Sequence, residues 1–158
     1  MRFQHVKPEE LEGPIKLTGF SDWTGQMSNG PGVSSLLLAA PPGNGKGSAI
    51  GQLAETLHYD VVRCRLKQLL EYPDPTGEFR AMLQGTEQLN RTVIWLDGLD
   101  GFFGKLKDDA AVQQFLAGWL ASEREPLRKN EVIVVATVKE PASMPDSVSS
   151  QFDRCFSA

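Results

Sequence analysis

The sequence predicts an α/β fold: a parallel sheet of five strands sandwiched between helices. Two patterns lead to it. Short, continuous apolar runs bounded by Pro or Gly have the length and character of strands buried on both faces. These runs alternate with stretches whose apolar residues recur at helical spacing, and that alternation implies βαβ units and a parallel sheet. Size agrees. The chain has 158 residues, 41% hydrophobic and 23% charged, about one domain with its own core.

Residues 1–33 read as an irregular lead-in arm, and residues 34–158 as the α/β core. Pro8, Pro14 and Pro31 punctuate the arm, and Asn29-Gly30-Pro31-Gly32 is turn chemistry. Phe20 and Trp23 are the residues expected to pack it down. The first strand is 35–39, followed by a Pro- and Gly-rich loop at 40–47. A helix follows, with Ile50, Leu53, Ala54 and Leu57 on one stripe. The second strand is 60–64. A short helix at 66–71 is expected to stop at Tyr72-Pro-Asp-Pro-Thr-Gly77. Phe79, Met82, Leu83 and Leu89 suggest a further helix, and 92–96 is the third strand. Val112, Phe115, Leu116, Trp119 and Leu120 form the stripe of a helix at 110–122. The mixed-charge patches at 105–109 and 123–131 read as solvated loops. The fourth strand is 132–136, a short helix falls at 145–151, and Cys155-Phe156 makes a last edge strand.

The loop after the first strand carries the chemistry. Ala40-Pro41-Pro42-Gly43-Asn44-Gly45-Lys46-Gly47-Ser48 comes close to G-x-x-x-x-G-K-[ST], a phosphate-cradling loop. Gly43 and Gly45 can take positive φ, which lets backbone N–H groups converge on one point. The helix beginning near Lys46 adds its positive end, and the Lys46 ammonium adds a full charge. Ala40 replaces the first Gly of the pattern. Gly47 replaces the Ser or Thr whose hydroxyl ligates Mg²⁺. Ser48 is one residue late, about 100° round the helix. A Gly-rich turn that merely tightens strand–helix packing is the other reading of this loop. Val93-Ile94-Trp95-Leu96-Asp97 is an apolar strand ending in an acid, and an Asp there can hold a Mg²⁺-bound water.

With these residues in order, the chain resembles the AAA+ ATPases, which are P-loop NTPases, over roughly residues 33–158. Their phosphate loop reads Gly-Pro-Pro-Gly-x-Gly-Lys-Thr, close to 40–47 here. Their second motif is four apolar residues and Asp-Glu, against Trp95-Leu96-Asp97-Gly98-Leu99-Asp100. The stretch 132–141 resembles their apolar strand followed by Ala-Thr-x-Asn-x-Pro, and Gln151-Phe152-Asp153-Arg154 resembles their Arg-Phe-Asp-Arg. The resemblance implies ATP or ADP at Pro42, Gly43, Asn44, Gly45, Lys46, Gly47, Ser48 and Asp97, and Mg²⁺ on Asp97 through water. It also implies protein partners or AAA+ subunits, in a homo- or hetero-oligomer. A helical lid follows the family's sheet; the sequence ends at Ala158, so the lid is expected to be absent here.

Departures fall on the chemistry. The family's catalytic Glu falls at Gly98, its sensor Asn at Lys139, and its arginine fingers near Ser150 and Gln151. Asp100 is the nearest carboxylate left as a base. Arg154 matches a family arginine other than the finger. The aromatic of the family's first pore loop corresponds to Tyr72, where Pro73 and Pro75 alter the loop. The implied function is an ATP-binding pseudo-ATPase acting as a structural or regulatory partner. The alternatives are an active ATPase whose base and finger come from a partner, a fragment of a longer ATPase, and a scaffold that has lost nucleotide.

Other residues are bland. His5 and His58 stand alone, His58 as a cap or surface residue. Cys64 and Trp95 read as core. Phe102-Phe103 are either core plugs or an exposed partner contact. A net charge of −4 argues against nucleic acid or anionic membrane as the target. The cysteines lack metal-like spacing, and no secretory or membrane-spanning segment is evident, so a reduced cytoplasmic protein is expected.

Overall fold

The computed structural model describes residues 3–27, 30 and 32–158. The turn chemistry read at Ser28, Asn29 and Pro31 lies outside the described residues. In chain order the elements are β1 (Gln4–Val6), α1 (Phe20–Gly25), β2 (Ser35–Ala39), α2 (Lys46–Leu57), β3 (Asp60–Arg65), α3 (Leu66–Leu69) and α4 (Pro75–Gln84). There follow β4 (Thr92–Asp97), α5 (Leu99–Gly104), α6 (Asp109–Ser122), α7 (Arg124–Lys129), β5 (Val132–Val138), α8 (Asp146–Ser149) and β6 (Arg154–Ser157).

The sheet has six strands in the order β1-β3-β4-β5-β2-β6. Strands β2 to β6 pair in parallel, as expected of the five predicted strands. The sixth is β1, which pairs antiparallel with β3, His5 opposite Val62. Three residues of arm are too short for a readable alternation, so sequence periodicity does not reveal this strand.

Strand side chains alternate between two cores, as a period of two requires. Leu36, Leu38, Val61, Val93, Trp95, Ile133 and Val135 pack beneath α1 and α2, against Phe20, Ile50 and Leu53. Leu37, Val62, Cys64, Ile94, Leu96, Val134 and Ala136 face the opposite side, covered by α3 to α8. Phe102 and Phe103 belong to this second core; they are buried, and Phe79 and Phe102 lie 5.2 Å apart. That leaves them as core and not as an exposed contact.

Two local readings change. Pro75 is the first residue of α4 and not part of a stop, because its missing N–H is one a helix start does not need. Asp74 caps that start by accepting the Gly77 N–H at 3.0 Å. The patch at 123–131 is helical as α7, pinned by buried Leu127. His58 ends α2 at φ 59.

The arm is packed down at the start of its helix. Phe20 sits edge-on to Phe156 at 5.1 Å, and the Thr18 N–H donates to Ser157 O at 2.8 Å. Asp153 ties the other end of the sheet. It accepts the Ser34 N–H at 2.6 Å and the Ser34 hydroxyl at 2.9 Å, and pairs with Arg124 and Arg128. Burial pushes the Asp153 carboxyl up, but the Ser34 donors and Arg128 outweigh it, so it lies below its ordinary 3.8. A folded-state value below the unfolded one adds stability above pH 3.8 and loses it as pH falls through the depressed value. Asp153→Asn is therefore expected to lower the urea midpoint at pH 7, by about 1–3 kcal/mol in stability. It should also flatten the loss of stability below pH 4, read by circular dichroism.

Candidate nucleotide site

The loop between β2 and α2 lies at the carboxyl ends of the parallel strands, where open α/β sheets hold their ligands. Gly43 and Gly45 have φ of 88° and 84°. Pro42 has no N–H and shapes the turn. Asn44 braces it, its side-chain amide donating to Pro41 O at 3.1 Å. The first intrahelical bond of α2 runs from Ala49 N–H to Gly45 O at 2.8 Å. The N–H groups of Lys46, Gly47 and Ser48 precede it and point out of the helix start. Lys46 turns back under the loop: its ammonium donates to Ala40 O at 2.5 Å and Val138 O at 3.0 Å. A lysine has three donors, so one remains for an anion. Burial lowers the Lys46 pKa, while Asp100 and Asp97 oppose the shift.

The arm crosses this loop. Lys16 N–H donates to Asn44 O at 2.9 Å. A Cβ on Gly45 would lie 2.1 Å from Pro14 O, so glycine is required there by approach as well as by φ. The Ser48 hydroxyl faces the arm, 2.8 Å from where a Gly13 Cβ would be.

Beside the loop, Arg63, Trp95, Asp97 and Thr137 form one cluster. They share the α2 side of the sheet because they continue the alternation of Val61, Val93 and Val135. The Arg63 guanidinium donates to Asp97 Oδ2 through Nε at 2.9 Å and through Nη2 at 2.5 Å. It also lies 4.2 Å from the Trp95 ring centre. Trp95 Nε1 donates to the Thr137 hydroxyl at 3.1 Å, and that hydroxyl donates to Asp97 Oδ1 at 3.3 Å. Both Asp97 oxygens are therefore engaged. Motif spacing does not single out Arg63; a charged residue between buried Val62 and Cys64 is the signal that marks it.

Asp100 lies in the same cleft of about 750 Å³ as Asp97 and Lys139. Its oxygens accept from Gly101 N–H at 2.9 Å and Lys139 N–H at 3.0 Å, fastening α5 to the end of β5. Gly98, between the two acids, caps α5 at φ 82°. At the finger position, Arg124 donates to Gln151 O and Oε1 at 3.0 and 3.2 Å. Arg154 lies over the Phe156 ring at 4.9 Å.

Mg²⁺ does not fit these residues. Gly47 offers no hydroxyl, and a Cβ there would already lie 3.2 Å from the Trp95 ring. The Asp97 carboxylate is held by Arg63. Among the described residues no group of three or more His, Cys, Asp or Glu is placed to hold a metal. A phosphate does fit the loop: two glycines at positive φ, open space beside Gly43, helix-start N–H groups without intrahelical partners and a lysine with one donor to spare.

Fold and loop together define a nucleotide-binding domain of the P-loop kind. The model of the "ATPase family associated with various cellular activities (AAA)" matches residues 36–158, and the chain belongs to that family. It is thus an AAA ATP-binding module, from a family whose domains commonly oligomerise. No curated protein matches the chain. Among the described residues no helix is long and apolar enough to cross a membrane.

Restoring the family's glutamate tests Gly98. Gly98→Glu is expected to destabilise by about 1–2 kcal/mol, because a side chain at φ 82° is strained even though nothing lies within 4 Å of its Cβ. Its Mg-ATP phosphate release should stay at the wild-type level, because Asp97 is still held by Arg63 and Gly47 still offers no hydroxyl.

Proposed function

We propose that the chain binds ATP or ADP at Pro42, Gly43, Asn44, Gly45, Lys46, Gly47 and Ser48 without hydrolysing it, and serves as a structural or regulatory partner in a AAA assembly. The observation that carries this reading is the pairing of the Gly43, Gly45 and Lys46 cradle with Gly98 at φ 82° where a base would stand. The N–H groups of the loop and Lys46 hold the phosphates. Among the described residues of the cleft no carboxylate is free to polarise water: Asp97 is engaged by Arg63 and Thr137, and Asp100 by two backbone N–H groups. Arg124 holds Gln151, so the position of the family's finger serves internal packing. A reducing cytoplasmic setting suits a chain whose cysteines form no disulfide, Cys64 lying in the core and Cys155 on β6.

Thermal unfolding tests the binding. ATP at about a hundred times its Kd adds about 2.7 kcal/mol, a rise of roughly 5–10 °C in Tm for a chain of this length. A Tm indifferent to millimolar ATP and ADP points instead to a scaffold that has lost nucleotide. An active ATPase completed by a partner would release phosphate only when mixed with that subunit.

A further inference from the structure

We propose that Arg63 is a built-in replacement for the metal, so that this site takes its nucleotide free of Mg²⁺. The inference rests on the nucleotide reading above and deepens it. Asp97 ends β4 beside the phosphate loop, and a carboxylate facing bound phosphates needs a cation between them. Magnesium is the ordinary cation, held by a hydroxyl on the helix and by the strand acid. Here the helix position is Gly47, backed by the Trp95 ring, and the strand acid is held by a guanidinium through two donors.

The register of the sheet places Arg63 there. Arg63 is opposite Trp95 on the adjacent parallel strand, and Asp97 is two residues further along the same face. The guanidinium lies across the Trp95 ring and reaches Asp97 from the side. Arginine suits this role because it stays charged at any working pH and its planar fork is fixed in direction. Trp95 and Thr137 complete the set, one beneath the guanidinium and one on the other carboxylate oxygen. Gly47 and Arg63 are thus two halves of one arrangement: loss of the hydroxyl leaves room for the indole, and the indole seats the arginine. A nucleotide entering here finds the Lys46 ammonium in place and the Asp97 carboxylate already neutralised by Arg63. Its own Mg²⁺ gains no protein ligand and must be carried with its water shell or left behind.

The test is calorimetric titration of the whole chain with ADP and with ATP, once in millimolar Mg²⁺ and once in EDTA. The inference expects an affinity in EDTA equal to or tighter than that in Mg²⁺. Arg63→Met, which keeps a stem against Trp95 but removes the charge, should bind about tenfold or more weakly in EDTA. It should recover part of that loss when Mg²⁺ is added, because Asp97 is then released. Arg63→Lys should keep the metal-independent binding. A wild-type affinity about tenfold tighter in Mg²⁺ overturns the inference and leaves the nucleotide reading standing. Absence of binding in both conditions removes the two together. The wild-type comparison decides the matter even if Arg63→Met does not fold.

Discussion

Gly45→Val is expected to unfold the chain more readily than any other single change in the loop. A Cβ at residue 45 would lie 2.1 Å from Pro14 O and 2.9 Å from Ile15 Cα, both backbone atoms with no rotamer to yield. The backbone at φ 84° adds its own cost. Left-handed strain of about 1–2 kcal/mol and overpacking of about 1–3 kcal/mol together predict a loss of roughly 2–5 kcal/mol. The variant can relieve the clash only by moving the arm off the loop, which also breaks the bond from Lys16 N–H to Asn44 O. Limited proteolysis should then cut within residues 8–19 faster than in the wild type, with the urea midpoint lowered. A variant of unchanged midpoint and cleavage rate would show that the arm does not lie on Gly45.

Lys46→Ala is expected to have the largest effect on binding. In the proposed binding mode the ammonium meets an outer phosphate, and it is partly shielded from water. Removing one partner of such a charged pair costs about 2–5 kcal/mol, a fall in ATP affinity of roughly thirtyfold to several thousandfold. There is a cost without ligand as well. Ala40 O loses its Lys46 donor, whereas Val138 O still receives the Ala40 N–H at 3.1 Å. Leaving a buried carbonyl unpaired costs about 1–3 kcal/mol. Melting the variant without nucleotide separates that term from the binding loss read by titration. An ATP affinity unchanged in Lys46→Ala would remove the loop from the binding site.

The sheet was legible because its central strands are buried on both faces. Such runs as Leu36-Leu37-Leu38 leave no other reading once breakers bound them. The arm was less so: β1 is three residues long, and α1 depends on Phe20 and Trp23 meeting Phe156 from the far end of the chain. Proline and charge misled locally. Pro75 opens a helix, and the charged stretch after Glu123 is a helix held by one leucine. The phosphate loop and Asp97 were legible as motifs, because backbone geometry ties glycines and lysine to fixed spacing. The partner of Asp97 was not. Arg63 lies 34 positions away in sequence and meets Asp97 only through the register of β3 on β4. The reason for Gly47 was hidden in the same way, since Trp95 approaches the start of α2 from β4.

The proposal that nucleotide is held without turnover is tested most directly by phosphate release. The purified chain is incubated with saturating ATP and Mg²⁺ for hours, and inorganic phosphate is measured beside a protein-free control and Lys46→Ala. Saturable ATP binding with phosphate release indistinguishable from the protein-free control is the predicted result. Steady release by the wild type, abolished in Lys46→Ala, would contradict it.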